Sequence, residues 1–182
     1  MKSNTFFILI ILLMLGSSGK TDAREVTSFN DGWEFKKGPF SKDAMQAVQK
    51  WDTDWQEVTI PHTWNAEDMQ KKVSDFYEGV GYYRKKYTFS KNMEGKRIFL
   101  RFEGVGACAE VYVNGYLVGT HKGAYSAFVC EIGSQLKLGK ENEIVVKADN
   151  ASHPDVIPTN HVLFGVYGGI YRPVWLDRKS VV

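Results

Sequence analysis

The chain has 182 residues, with 23 Lys and Arg against 21 Asp and Glu and a formal net charge of +2. Both signs are interspersed, and the densest basic stretch, Arg84-Lys85-Lys86, lies inside a strand pattern, so nothing in the charge points to nucleic acid or an anionic surface.

Residues 1–23 differ in kind from the rest. Lys2 gives a short positive start, Phe6 to Leu15 is an apolar run without a charge, and Thr21-Asp22-Ala23 ends in a small residue suited to cleavage. This is the pattern of a secretory signal, because the run is shorter than the roughly 18 residues a spanning helix needs. No cysteine follows it, which argues against a lipid anchor. The expected product is an exported protein, periplasmic or extracellular, beginning near Arg24 and free of the membrane after cleavage. About 160 residues remain, which suits one domain (24–182) with a sizeable core.

In chain order, Val26 to Trp33 reads as a short strand ending at the turn Asn30-Asp31-Gly32, and Trp33-Glu-Phe35 resumes alternation. Ser41 to Lys50 is the helix candidate, with Ser41 as cap, Asp43 in the first turn, and Ala44, Ala47 and Val48 on one face. Val58 to Ile60 is a brief strand stopped by Pro61. Asp75 to Gly81 is a glycine-punctuated loop, followed by a strand, Tyr82 to Phe89, with Tyr83, Lys85, Tyr87 and Phe89 on one face. Ile98, Leu100 and Phe102 alternate with Arg97, Phe99 and Arg101, and Phe99 makes the polar side only partly wet. Ala109, Val111 and Val113 lead into Asn114-Gly115, the signature of a two-residue type I′ hairpin. Further strands are expected over Ala124–Ile132, Glu143–Asp149 and Ile170–Asp177, with a Pro-containing rim loop over Asn150–His161.

Eight to ten short strands without long helices give an all-β class, best built as a two-sheet jelly-roll sandwich. Cys108 shares the parity of Glu110 and Tyr112, whereas Cys130 shares that of Phe128 and Ile132, so one thiol points out and the other in, which favours free thiols.

Four motifs carry a resemblance. They are Phe99 to Val105 (FLRFEGV) with Ala109 to Gly115 (AEVYVNG), Ile60-Pro-His-Thr-Trp64, Gly81-Tyr-Tyr-Arg84, and Tyr167-Gly-Gly-Ile-Tyr-Arg-Pro-Val174. With these motifs the chain resembles the amino-terminal sugar-binding domain of family 2 glycoside hydrolases, the group of β-galactosidases, β-glucuronidases and β-mannosidases. The resemblance implies a galactose-binding-like jelly roll. It also implies a non-catalytic accessory domain of a secreted β-glycosidase, whose partners are a β-glycoside carbohydrate and the catalytic barrel and immunoglobulin-like domains of the same longer polypeptide.

A retaining glycosidase needs two carboxylates about 5 to 5.5 Å apart. In the family that pair sits on the barrel, so no catalytic residue is expected here. Glu67, Asp68, Glu103, Glu110, Glu131 and Asp149 read as solvated charges. Neither a nucleophile elbow nor an HExxH motif is present, and the four histidines lack metal-ligand spacing. Asp149, Asn150 and Asp155 fall short of the six to eight oxygens calcium takes. No metal and no cofactor are expected.

The resemblance also places two rim loops toward the barrel pocket, Tyr77 to Gly81 with Glu78, and Asn160 to Gly165 with Asn160, His161 and Leu163. Many members have an aspartate five residues before the first glycine of the GGIYR-type motif. Counting back from Gly168 gives Leu163, and Asn160 and His161 stand near enough to supply hydrogen bonds instead. His62 and Trp64 are expected at a structural corner, the tryptophan covering the core and the histidine bonding the backbone. Two alternatives remain open, a free-standing lectin using Tyr112 and Tyr116 as an aromatic platform, and a purely structural docking module.

Overall fold

A computed structural model describes residues 24–38, 54–68, 76–157 and 165–180. The candidate signal segment 1–23, the helix candidate 41–50, and Asn160, His161 and Leu163 lie outside the described residues.

Ten strands form two antiparallel sheets. They are β1 (Glu25–Ser28), β2 (Trp33–Gly38), β3 (Gln56–Val58), β4 (Val80–Thr88), β5 (Lys96–Phe102), β6 (Cys108–Val113), β7 (Tyr116–Lys122), β8 (Phe128–Glu131), β9 (Glu141–Asp149) and β10 (Val174–Ser180). The four-stranded sheet runs β1-β10-β5-β8 and the six-stranded sheet β3-β2-β4-β9-β6-β7. The fold is therefore the all-β, two-sheet jelly roll that the strand spacing predicts.

Alternation explains the core. Ile98, Leu100 and Phe102 of β5, with Val174 and Leu176 of β10, face Tyr83 of β4, Ile144 and Val146 of β9, and Ala109, Val111 and Val113 of β6, all buried. Burying an aliphatic or aromatic side chain of this size contributes about 1.5–3 kcal/mol, so this layer is the dominant cohesive term. Phe99, on the other face of β5, is also buried, roofed by the Arg97 guanidinium at 4.9 Å and the Lys179 ammonium at 5.0 Å from its ring centroid.

The inner face of β4 contains one charge. Lys85 is 7 % exposed and donates from Nζ to the Asp31 carbonyl at 2.5 Å and the Phe29 carbonyl at 3.4 Å, with Nζ 3.8 Å from the Phe29 ring centroid. Its neighbours turn away from it. Arg84 pairs with Glu34 on the outer face and stacks on Trp55, and Lys86 meets Glu141 at 3.9 Å. The basic triplet is thus dispersed over two faces of a sheet and forms no patch.

The Asn114-Gly115 hairpin between β6 and β7 has φ of 50° and 89° at its two central residues, the type I′ requirement. Asn114 does more than turn the chain, donating to the Gln135 carbonyl at 2.7 Å and to Asn142 Oδ1 at 2.8 Å while accepting from the Glu143 amide at 3.1 Å. The open side between β7 and β8 is closed by side chains. His121 stacks on Phe128 at 4.4 Å and Phe128 on Phe102 at 4.9 Å, and Gly119 leaves room for the Cys130 sulfur.

Several boundaries differ from the sequence expectations. Ala124–Ala127 is irregular, bending at Ala124 and Tyr125, so β8 is confined to Phe128–Glu131, and the last strand runs Val174–Ser180. Val80 and Gly81 already belong to β4 because they pair with Asp149 and Ala148 of β9. Both cysteines are free, Cys130 buried and Cys108 half-buried on the outer face, as their parity indicates. Burial raises both thiols, Cys130 to about 11, away from thiolate reactivity.

Candidate functional site

One end of the sandwich, the rim, gathers the turns that follow β5, β7 and β9 and those that precede β4 and β10. Two fully buried asparagines organise it. Asn150, immediately after β9, donates from Nδ2 to the carbonyls of Val166 at 2.8 Å and Tyr77 at 3.1 Å and to Asn65 Oδ1 at 3.3 Å. Its Oδ1 accepts from the Gly79 amide at 2.8 Å. Asn65 donates to Asp68 Oδ2 at 2.6 Å and the Tyr77 carbonyl at 3.1 Å, and accepts from the Gly168 amide at 2.8 Å. Three separate segments, 65–68, 77–79 and 166–168, are thereby fixed to each other and to the end of β9. Each buried bond contributes only about 0.5–1.5 kcal/mol net, whereas an orphaned partner here would cost about 1–3 kcal/mol, so the hub is held chiefly by the penalty for opening it.

Trp64 packs beneath this hub. Its ring stacks on Phe35 at 5.6 Å, and a Cβ at either Gly81 or Gly168 would overlap it, which is why both flanking motifs need glycine there. Trp64 covers the core as expected. His62 departs from expectation, since its ring meets a side chain: Nδ1 lies 2.8 Å from the Tyr83 hydroxyl, while the His62 backbone amide donates to the Ile170 carbonyl. Burial, reinforced by Lys37, lowers the His62 pKa, and burial raises that of Tyr83, so both are neutral at physiological pH. They are a structural clasp between β4 and the 169–170 segment.

Several carboxylates that read as solvated charges in the sequence are engaged, and two are drawn into half-buried pairs. Asp149 is 7 % exposed, accepting from the Ala151 amide and lying 3.2 Å from His153 Nε2. Glu110 binds buried Lys147 at 2.9 Å and accepts from the Tyr112 hydroxyl at 2.5 Å. Glu131 pairs with Arg97, Glu103 with Arg101, and Asp68 belongs to the asparagine hub. The oxygens of Asp149, Asn150 and Asp155 do not converge on a calcium position, since Asp155 is held by Lys122 at 2.5 Å and Asn150 by the hub. Among the described residues no group of three or more His, Cys, Asp or Glu is arranged to hold a metal.

Tyr112 and Tyr116 do not make a common platform. Tyr116 pairs with Val113, whose side chain is inward, whereas Tyr112 pairs with Leu117 and packs on the outer face near Tyr82 and Val145. The two tyrosines thus stand on adjacent rungs and opposite faces of the hairpin, and a planar ligand could not rest on both.

Of the substrate-facing residues expected, Glu78 is at the exposed tip of the 77–79 segment, flanked by Tyr77 and Gly79, both hub partners. The sequence gives no sign of this role: Asn65 reads as an ordinary loop asparagine, and Asn150 enters only among oxygens too few for calcium. Only the long-range bonds reveal them.

Two packed antiparallel sheets of four and six strands make the fold a jelly-roll sandwich of the galactose-binding-like class. The chain belongs to the family described as glycosyl hydrolases family 2, sugar binding domain, which it matches over residues 26–180. It is 36% identical to a β-glucuronidase of Bacteroides fragilis over 91% of this chain and 22% of that protein. It is 35% identical to a β-galactosidase of Thermoanaerobacter pseudethanolicus over 84% and 21% of the two chains. A crystal structure from Bacteroides fragilis, provisionally described as a β-galactosidase, superimposes with a TM-score of 0.80 at 69% identity, covering 87% of this chain and 24% of that one. The chain thus spans about a fifth of the length of the curated relatives it matches.

Proposed function

We propose that this chain is the non-catalytic amino-terminal domain of an exported family 2 β-glycosidase of the β-galactosidase and β-glucuronidase group. In this reading the catalytic carboxylates reside on a barrel elsewhere in a longer polypeptide, and the domain presents two rim segments that complete the substrate pocket. Glu78 belongs to the first segment, and Asn160, His161 and Leu163 to the second. With leucine at position 163, recognition of a sugar hydroxyl on that side falls to Asn160 and His161.

The observation that carries this reading is the Asn65–Asn150 hub. Its two buried amides hold 77–79 and 166–168 in fixed relation at the rim. Pocket completion needs that rigidity, because misplacing a substrate contact by about 1 Å can cost on the order of a hundredfold in rate. The test substitutes this chain for the matched segment of the Bacteroides fragilis protein 69% identical to it. In that chimera Asn150→Ala is expected to lower kcat/KM for nitrophenyl β-galactoside or β-glucuronide by about tenfold or more, with barrel unfolding unchanged. An unchanged kcat/KM would overturn the pocket-shaping role. Export is tested separately, by fusing residues 1–23 to a periplasmic reporter.

A further inference from the structure

Exposed large apolar side chains among the described residues fall in three places. Tyr116 and Leu117 cap the β6–β7 hairpin at the end opposite the rim, and Val26 and Val129 lie on the outer face of the four-stranded sheet. Tyr125, Ile157 and Tyr167 gather at the rim, 57%, 74% and 43% exposed. The rim group stands on its own small core of Ala107, Ala124, Val156 and Val166, each no more than 3% exposed and separate from the main core.

The backbone under this patch is cross-tied. Gly106 donates to the Gly169 carbonyl at 3.1 Å, Gly123 to that of Ala107 at 2.9 Å, Ala124 to that of Ile157 at 3.3 Å, and the Tyr171 hydroxyl to that of Ala124. A depression of about 500 Å³ opens between Tyr125 and Ile157. The charges at its edge, Lys122 and Asp155, neutralise each other at 2.5 Å. A rigid, apolar, electrically neutral surface of this kind is the mark of a partner contact, and it offers nothing to an anionic ligand.

We propose that this rim patch is the docking surface for the remainder of a longer polypeptide, an apolar face of which covers Tyr125, Ile157 and Tyr167. The inference rests on the reading of the chain as one domain of a longer glycosidase, and two observations select this occupant. The matched relatives carry roughly four-fifths of their length outside the aligned segment. Moreover, the patch is continuous with the hub-held rim, since Val166 both accepts from Asn150 and roofs the small core, so whatever meets the 166–168 segment meets Tyr167 as well.

The test compares amide hydrogen exchange in the isolated mature chain with that in the Bacteroides fragilis chimera. Docking predicts that the amides of Tyr125, Ser126, Ile157 and Tyr167 exchange at least about tenfold more slowly in the chimera. Tyr125→Ser with Ile157→Ser should abolish that difference in the chimera while leaving the melting temperature of the isolated chain unchanged, since both side chains are exposed. Equal exchange in the two settings would overturn the proposal, as would protection that appears in the isolated chain and grows with its concentration, the sign of a second copy. Should the chimera not fold, the chain is mixed with the remaining part of the Bacteroides fragilis protein. Tyr125 and Tyr167 becoming shielded from hydroxyl-radical oxidation supports docking, and unchanged oxidation overturns it. Protection without any effect of Asn150→Ala on kcat/KM would leave docking standing and remove the pocket-shaping reading.

Discussion

Lys85 is placed where an aliphatic residue would ordinarily sit, inside β4 between Tyr83 and Tyr87. Burial lowers its pKa from 10.5 to about 8, opposed by the attraction of Asp31. The unfolded chain therefore holds more protons than the folded one between those values, and stability rises with pH across that window. Below about pH 8 the ammonium is charged in both states and its desolvation penalty is present in full. Denaturant melts at about pH 7.5 and about pH 9.5 should show the Lys85 contribution, read as the difference between the wild-type and Lys85→Met chains, larger at the higher pH by on the order of 1–2 kcal/mol, because the raised thiols of Cys108 and Cys130 pull the whole-domain profile the other way. An equal difference at the two pH values would assign the effect to another group. A second prediction concerns Gly115, which with φ of 89° cannot accept a β-branched residue without strain. Gly115→Val should destabilise by about 1–2 kcal/mol, read as a lower melting temperature, whereas Asn is tolerated.

At the scale of the element, the strands most legible in the sequence are those with one wet face. β5, β6 and the type I′ hairpin follow from alternation and Asn114-Gly115 alone. Ala124–Ala127 reads as strand because it runs on from the β-formers of β8, yet its backbone bonds go to the Tyr171 hydroxyl and the Ile157 carbonyl, partners distant in sequence. The asparagine hub is illegible for the same reason, because a loop asparagine looks alike whether it faces water or binds three segments. The carboxylates mislead in the opposite direction. Glu110 and Asp149 read as solvated, but each lies beside a buried or half-buried basic side chain contributed by β9 or the loop after it. One element contact supports a direct test. Gly119 of β7 leaves room for the Cys130 sulfur of β8, so Gly119→Ala should cost about 1–3 kcal/mol through overpacking. Adding Cys130→Ala should recover part of that loss, and strict additivity of the two changes would show that the strands do not meet there.

Across the whole molecule, the fold and the family are readable from four ordered motifs, while the chemistry of the rim is readable only in outline. The isolated chain from Arg24 onward is expected to hydrolyse no nitrophenyl β-galactoside, β-glucuronide or β-mannoside. Retaining hydrolysis needs two cooperating carboxylates, whereas Glu110 is committed to Lys147, Asp149 to the Ala151 amide and Glu131 to Arg97. Turnover abolished by a single carboxylate-to-alanine change would reverse that conclusion. In the proposed reading the isolated domain offers one side of a pocket, and each hydrogen bond to a sugar hydroxyl nets only about 0.5–1.5 kcal/mol. Galactose, glucuronate and mannose should therefore bind at millimolar Kd or weaker, about −4 kcal/mol, in titrations followed by amide shifts. A micromolar site would instead favour the free-standing lectin.

The arrangement of β1 and β10 has a mechanical consequence. Glu25 pairs with Arg178 and Ser28 with Trp175, so the two strands run antiparallel with their outer ends side by side, and Arg24 clasps Asp177 at 2.6 Å at that end. Tension applied between those ends would load the pair as a zipper and not in shear, breaking one rung at a time. The Arg24 clasp would part first, and the four-residue strand β1 would then peel from the edge of its sheet. The load reaches the opposite end of the sandwich only after β1 is gone, so a stretched domain would shed its first strand with its Asn65–Asn150 hub still closed.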